Sequence, residues 1–365
     1  MRRLLLAGCL GYTHYMSIEF ASLSALLAHG FDTVIDVRSP AEFAEDHVPG
    51  AINLPALSND QRAEIGTLYK QVSPFDARKK GAAMVARNVA DHINGPLADK
   101  DGSWRPLVYC WRGGQRSGSV ASILTQIGWR ADTVQGGYQS FRRLVNRAVY
   151  DDVLPHRFVL LDGNTGTAKT ALLGHLSDRG VQVLDLEGLA SHRGSLLGAI
   201  PGGQPAQKAF ETAIALALHH LDPSRPVVVE AESSKIGRLI VPPSVWAAML
   251  SAPRIVIDAP LAARAAFLTH AYADVISDPD SVADRLAHLR RVRGHAVVDR
   301  WITLLRAEDF SGLATALMVD HYDPAYSKSR RMDDPTVLGV VEAAALDAAG
   351  QATAADTIAR ILKAF

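Results

Sequence analysis

Eight residues, Gly163-Asn164-Thr165-Gly166-Thr167-Ala168-Lys169-Thr170, constrain this chain more than any other stretch. They follow an apolar run, Phe158-Val159-Leu160-Leu161, that reads as a buried strand, and they precede a segment with helical spacing. A glycine-containing loop in that position, ending in lysine and threonine, has the pattern that wraps phosphate groups. The amides from Thr165 to Lys169 are expected to cradle a diphosphate, Lys169 to reach its terminal oxygens and Thr170 to hold Mg²⁺. One departure stands out: the pattern calls for glycine where Ala168 stands, and alanine tolerates positive φ less well.

Further short apolar runs at residues 181–184, 227–229 and 255–257 alternate with helical segments, which predicts an α/β unit on a parallel sheet. Glu230 ends the second run and Glu232 follows; either carboxylate is placed to order Mg²⁺ or act as a base. The run from Asp185 to Ser195 holds Glu187, His192 and Arg193 at a strand exit and is expected to line the same cleft, with Arg193 as a phosphate or RNA contact. Beyond Pro260 the spacing is helical almost throughout, so the last hundred residues are expected to be mostly helix.

An independent pattern precedes this one. Residues 18–29 read as a helix, residues 33–37 as a strand, and Ser39-Pro40 opens a helix. Pro106-Leu107-Val108-Tyr109-Cys110 is a further strand that runs into Trp111-Arg112-Gly113-Gly114-Gln115-Arg116-Ser117, followed by a helix over residues 120–127. A strand near Thr133-Val134 ends in Gly136-Gly137, and the next helix carries Arg142, Arg143 and Arg147. Cys110 thus sits at a strand's carboxyl end, before a loop whose amides, following helix and arginines surround an anion. Such surroundings lower a cysteine pKa from about 8.5 to between roughly 3.5 and 7.5, which makes a nucleophilic thiolate.

At 365 residues, with 48% hydrophobic and 21% charged side chains, the chain suits two packed domains. Residues 151–156, polar and broken by Pro155, are expected to link a domain at 1–150 to one at 157–365. The 38 basic and 38 acidic residues cancel, so any polyanion must be met by local patches. Cys9 and Cys110 are too few for a disulfide framework, and a reducing cytoplasm fits best. The opening stretch imitates a lipoprotein signal with too short an apolar part, so residues 1–15 read as an upstream extension before Met16. No apolar run approaches a membrane span.

The segments Asp36-Val37-Arg38-Ser39-Pro40-Ala41-Glu42-Phe43 and His47-Val48-Pro49-Gly50-Ala51-Ile52-Asn53, with Gly136-Gly137-Tyr138, resemble the rhodanese domain over most of residues 17–147. Asp36, Arg38 and His47 are expected to be scaffold residues. Followed by the phosphate loop, and joined by Ile65-Gly66-Thr67-Leu68-Tyr69-Lys70-Gln71, Glu230-Ala231-Glu232-Ser233 and Tyr322-Asp323-Pro324-Ala325-Tyr326, the whole resembles the tRNA 2-selenouridine synthases. Trp111 stands where a small residue is usual.

That resemblance implies a rhodanese-like parallel-sheet domain followed by a P-loop NTPase-like α/β domain with a helical C-terminal region. It also implies replacement of sulfur by selenium at the wobble 2-thiouridine of tRNA, first by S-geranylation with geranyl diphosphate, then by selenation with selenophosphate. Partners would be the tRNA, those two substrates and the enzyme that makes selenophosphate; no cofactor would be permanently bound. Basic candidates for tRNA are Arg142, Arg143 and Arg147, then Arg290, Arg291 and Arg293, then Lys328, Arg330 and Arg331. Competing expectations are a P-loop ATPase or kinase coupled to sulfur transfer by Cys110, and a binding protein that senses anions.

Overall fold

The computed structural model describes residues 3–4 as main chain, then 15–325 and 336–365. Cys9, Tyr326, Lys328, Arg330, Arg331 and most of the expected upstream extension lie outside the described residues. The chain divides into two compact units, Met1–Asp151 and Asp152–Phe365. No helix among the described residues is long and apolar enough to cross a membrane.

The first unit is a six-stranded sheet built from β1 (Arg3–Leu4), β2 (Ser17–Ile18), β3 (Thr33–Asp36), β4 (Ile52–Asn53), β5 (Pro106–Tyr109) and β6 (Asp132–Val134). Their order is β1-β2-β6-β5-β3-β4, parallel except for β1 against β2. Every residue of β5 is buried, as expected of a central parallel strand. The helix expected over residues 18–29 is shorter. Ile18 pairs with Val134 as a strand, and only α1 (Leu23–Leu27), capped by Ser22, is helical. Around the sheet lie α2 (Pro40–Glu45), the hairpin of α3 (Asn59–Gln71) and α4 (Pro74–Asn94), α5 (Gln115–Ile127) and α6 (Gly137–Asn146).

Arg38 is the buried keystone of this unit. Its guanidinium bonds both oxygens of Asp36 at 2.6 to 3.0 Å and the carbonyl of Asp46 at 2.6 Å, and stacks 3.8 Å from the Tyr138 ring centroid. Tyr138 in turn donates its hydroxyl to Asp46 at 2.8 Å, and Arg142 lies 3.5 Å from the same carboxylate. A π-helical turn, Arg147–Asp151, closes the unit, and residues 152–156 form neither helix nor strand.

In the second unit β7 (Arg157–Gly163), β8 (Gln182–Leu184), β9 (Pro226–Glu230), β12 (Arg254–Asp258) and β13 (Val337–Glu342) form a parallel sheet in the order β13-β12-β7-β9-β8; β10 (Lys235–Ile236) and β11 (Leu239–Ile240) pair separately. Helices α7 (Lys169–Asp178) and α8 (Leu186–Ala190) follow β7 and β8, and α9 (Gln207–His220) and α10 (Pro243–Ser251) flank β9. Beyond β12 come α11 (Leu261–Ala271), α12 (Ala273–Ile276), α13 (Pro279–Ala287), α14 (Arg290–Arg293), α15 (His295–Arg306), α16 (Phe310–Leu317) and a π-helical turn, Met318–Tyr322. Among the described residues the helical expectation for this region holds except at β13, which pairs with β12 before α17 (Ala348–Ala364) packs against α7.

Candidate functional site

Each unit carries a glycine-containing loop at the carboxyl end of a central strand. In the first, Cys110 follows β5, and its sulfur lies 3.2 Å from the hydroxyl of Ser117. Burial pushes the thiol pKa up. The Ser117 hydroxyl, the N–H groups of Ser117 and Gly114 and the Arg116 charge outweigh it, so the net shift is downward. The loop keeps this shape because the first amides of α6 take its outer carbonyls: Tyr138 N–H donates to Cys110 O at 2.8 Å and Gln139 N–H to Trp111 O at 3.0 Å. Only glycine allows that approach at residue 137, where φ is +57° and a Cβ would collide with the Cys110 carbonyl.

Arg116 is held by Glu42 at 3.0 Å, and Glu42 also pairs with Arg62 at 2.9 Å. Burial raises the Glu42 pKa, but Arg116, Ser39 and Arg62 bring it below the ordinary value. Arg112, Gly114 and Gln115 are exposed at the loop's rim, and Gly113 is half-buried.

In the second unit the expected phosphate pattern runs from Gly163 at the end of β7 through the loop at 164–168 to Lys169 and Thr170 at the start of α7. Ala168 adopts φ +59°, the conformation that pattern reserves for glycine. The left-handed conformation costs alanine about 1 kcal/mol. Burying its methyl among Leu172, Leu173 and their neighbours returns up to about 0.8 kcal/mol, so the departure is tolerated. Lys169 Nζ donates to the carbonyl of Gly163 at 3.0 Å, and Thr167 Oγ1 to that of Asn164 at 2.8 Å.

Three carboxyl groups converge behind Thr170. Its hydroxyl lies 2.9 Å from Glu187 Oε2 and 3.1 Å from Glu230 Oε2, and the backbone N–H of Glu187 donates to Glu230 Oε1 at 2.8 Å. Glu232 hydrogen-bonds the Glu187 carboxyl, and Gly194, at φ +66°, lays its backbone against both where a Cβ would clash. Burial first, then the Glu232 charge, pushes the Glu187 pKa up to about 8, against the pull of Thr170 and Lys169. Glu230 is raised well above its ordinary value by burial and by the charges of Glu187 and Asp185, and Glu232 is raised by burial.

Among the described residues no three His, Cys, Asp or Glu side chains form a metal-holding group by themselves. The oxygen donors of Thr170, Glu187 and Glu230 nonetheless suit Mg²⁺, which commonly takes one or two protein oxygens and completes its shell with substrate phosphate and water.

A group whose folded pKa is raised stabilises the fold below its unfolded pKa and loses that contribution as pH climbs through the folded value. In chelator-treated buffer, stability to urea is therefore expected to fall by roughly 4 kcal/mol between about pH 4.5 and 8, and Glu187→Gln to flatten that slope. An unchanged slope in the variant would show that Glu187 does not titrate in this window.

Arg193 pairs with Asp274 at 2.9 Å and lies over the Tyr272 ring, while its buried Nη1 has no hydrogen-bond partner among the described residues. An anion's oxygen would supply one. His192 accepts the N–H of Gly194 on Nδ1 at 3.1 Å; burial, then Arg285, lower its pKa, so this histidine fixes a turn in its neutral form.

Sequence reasoning missed Arg264. A buried arginine on the largely apolar α11, it donates to the carbonyl of Thr165 at 2.9 Å and makes a two-pronged pair with Asp323 at 2.6 and 3.0 Å, bracing the loop after β7 from outside. The signal available was a lone arginine among alanines and leucines.

A cavity of about 320 Å³ opens over the loop between β7 and α7; Glu187, Arg193 and Glu232 contribute to its wall, and His192 and Glu230 do not. It shares Thr165, Ser195, Leu268, Tyr272 and Tyr322 with a second cavity of about 70 Å³, whose far wall includes Leu197, Ile276, Phe310, Leu313, Leu317 and Met318.

Of the basic candidates, Arg143, Arg147 and Arg291 are exposed. Arg142 is engaged by Asp46 and Asn146, Arg290 by Asp299 and Arg293 by His321.

Comparison with known proteins matches residues 19–144 to the rhodanese-like domain and residues 156–284 to the tRNA 2-selenouridine synthase AAA domain. The tRNA 2-selenouridine synthase of Aeromonas salmonicida (strain A449) is 33% identical over 322 residues, covering 80% of this chain and 86% of that protein. That of Psychromonas ingrahamii (strain DSM 17664 / CCUG 51855 / 37) is 34% identical over 252 residues, 68% of this chain and 67% of its own length. For Nitrosomonas europaea (strain ATCC 19718 / CIP 103999 / KCTC 2705 / NBRC 14298) the figures are 36% over 258 residues, 69% and 66%.

Proposed function

Because this chain belongs to the tRNA 2-selenouridine synthase family, we propose that it is a transferase that exchanges sulfur for selenium on the wobble 2-thiouridine of tRNA in two stages, one at each loop. The observation that carries this reading is the phosphate loop's cavity running on into an apolar one, a shape complementary to a diphosphate that bears a short hydrocarbon tail.

In the first stage the thiocarbonyl sulfur attacks C1 of geranyl diphosphate. The C1–O bond breaks, diphosphate departs with the electron pair, and the N3 proton of the base passes to solvent. Lys169, the amides from Thr165 to Lys169 and the N–H of Arg193 that no described residue accepts face the charge that develops on the leaving group. Thr170, with Glu187 and Glu230, would hold Mg²⁺, which when bound supplies further positive charge to that leaving group. Arg264, anchored on Asp323, positions the loop.

In the second stage selenium of selenophosphate adds at C2 of the base, the C2–S bond breaks and geranyl thiolate leaves. Water then cleaves the Se–P bond to give phosphate. The loop around Cys110, with its inward amides and lowered thiol pKa, serves this stage alone.

Incubation with thiolated tRNA and geranyl diphosphate, then selenophosphate, is expected to add and then remove one geranyl mass on the nucleoside, leaving selenium for sulfur. Phosphate release from ATP with no alkylated nucleoside would overturn this reading in favour of nucleotide-driven sulfur transfer.

A further inference from the structure

We infer that the apolar cavity is the site of the isoprenoid tail and that α16 sets the tail length it accepts, an inference that rests on the prenyl-transfer reading above. The five residues common to both cavities form the mouth of the slot, and those found only in the second form its depth. Depth is governed by one face of α16: Phe310, Leu313, Ala314 and Leu317 recur at helical spacing and all line the slot. Asp309 caps the helix start by accepting the N–H of Gly312 at 2.8 Å, so this wall begins at a fixed turn.

The chemistry of the lining selects hydrocarbon. Thr269 returns its hydroxyl to the carbonyl of Ala265 at 2.9 Å, and the hydroxyls of Ser195 and Tyr272 bond each other at 2.8 Å. These three hydroxyls are engaged within the wall, and among the described residues no charged side chain lines the slot. A nucleoside base or ribose would bury its own donors and acceptors there without partners, whereas an alkenyl chain loses nothing.

Ala314 is the smallest residue on that face of α16 and is only half-buried, so a larger side chain there enters the slot and leaves the helix's deepest packing in place. The test measures kcat/KM with thiolated tRNA for dimethylallyl, geranyl and farnesyl diphosphates. Ala314→Phe is expected to shift preference from the ten-carbon toward the five-carbon donor by roughly ten- to a hundredfold, and Leu317→Ala to shift it toward the fifteen-carbon donor by about tenfold. Two variants of opposite sign separate a change of length preference from a loss of folding, which would depress all three donors equally.

If the wild-type protein alkylates tRNA and both variants keep its length profile, the slot is not the tail site. Should the wild type alkylate with none of the three donors, the prenyl reading itself fails, and this inference with it.

Discussion

Lys169→Ala is expected to reduce geranyl transfer by about a thousandfold or more, with no geranylated nucleoside accumulating, while Cys110→Ala leaves that transfer within about threefold of wild type and abolishes selenation. The contrast follows from where each residue sits. Lys169 is the one ammonium carried by the loop that would receive the diphosphate, and charge developing on a departing oxygen is the largest electrostatic demand of the reaction. Cys110 belongs to the loop that follows β5, where its sulfur faces Ser117 and two amides. Mass analysis of nucleosides after each stage reads both effects from one sample. The tell-tale result is S-geranyl-2-thiouridine piling up in Cys110→Ala. Its absence, in a variant that still unfolds cooperatively, would end the division of labour between the loops.

Arg38→Ala is expected to destabilise the first unit by about 3 to 5 kcal/mol. The alanine leaves Asp36, fully buried, without its counter-charge, orphans the carbonyl of Asp46 and removes the cation from the face of Tyr138. Arg38→Lys rescues only part of this loss, because an ammonium cannot reproduce the two-pronged contact with Asp36 while also reaching Asp46. Urea unfolding followed by tryptophan fluorescence measures the shift, Trp104 and Trp129 being buried in this unit's core. Were the midpoint of Arg38→Ala unchanged, the network would be ornament to the fold, and Tyr138 would need another explanation for its hold on Asp46.

Both loops were legible in the sequence because each is a short-range pattern: a strand, a fixed spacing of glycine and cation, and a helix, all within about a dozen residues. The same holds for the parallel-sheet architecture, read from apolar runs such as Pro106–Tyr109. Long-range assembly was not legible. Arg264 meets Thr165 from 99 positions away and Asp323 from 59, and nothing local distinguishes that arginine from a solvated one. The apolar slot draws its walls from the turn after α8, from α11 and α12, and from α16, whose side chains look individually like ordinary core. Strand β13 escaped notice for a different reason: six residues with Gly339 in their midst, at a sheet edge with Val337 and Val340 exposed, give a weak alternation. Ala168 was legible as a departure, and only its buried methyl explains why the backbone tolerates it.

Arg264 and Leu268 stand one turn apart on α11, the first gripping the carbonyl of Thr165 and the second forming part of the slot's mouth. Under the proposed reading, one helix thus links the wall that would meet the tail to the carbonyl beside the residues that would meet the diphosphate. Any coupling between the two ends of such a molecule through that helix is reciprocal, each end changing the grip on the other by the same factor.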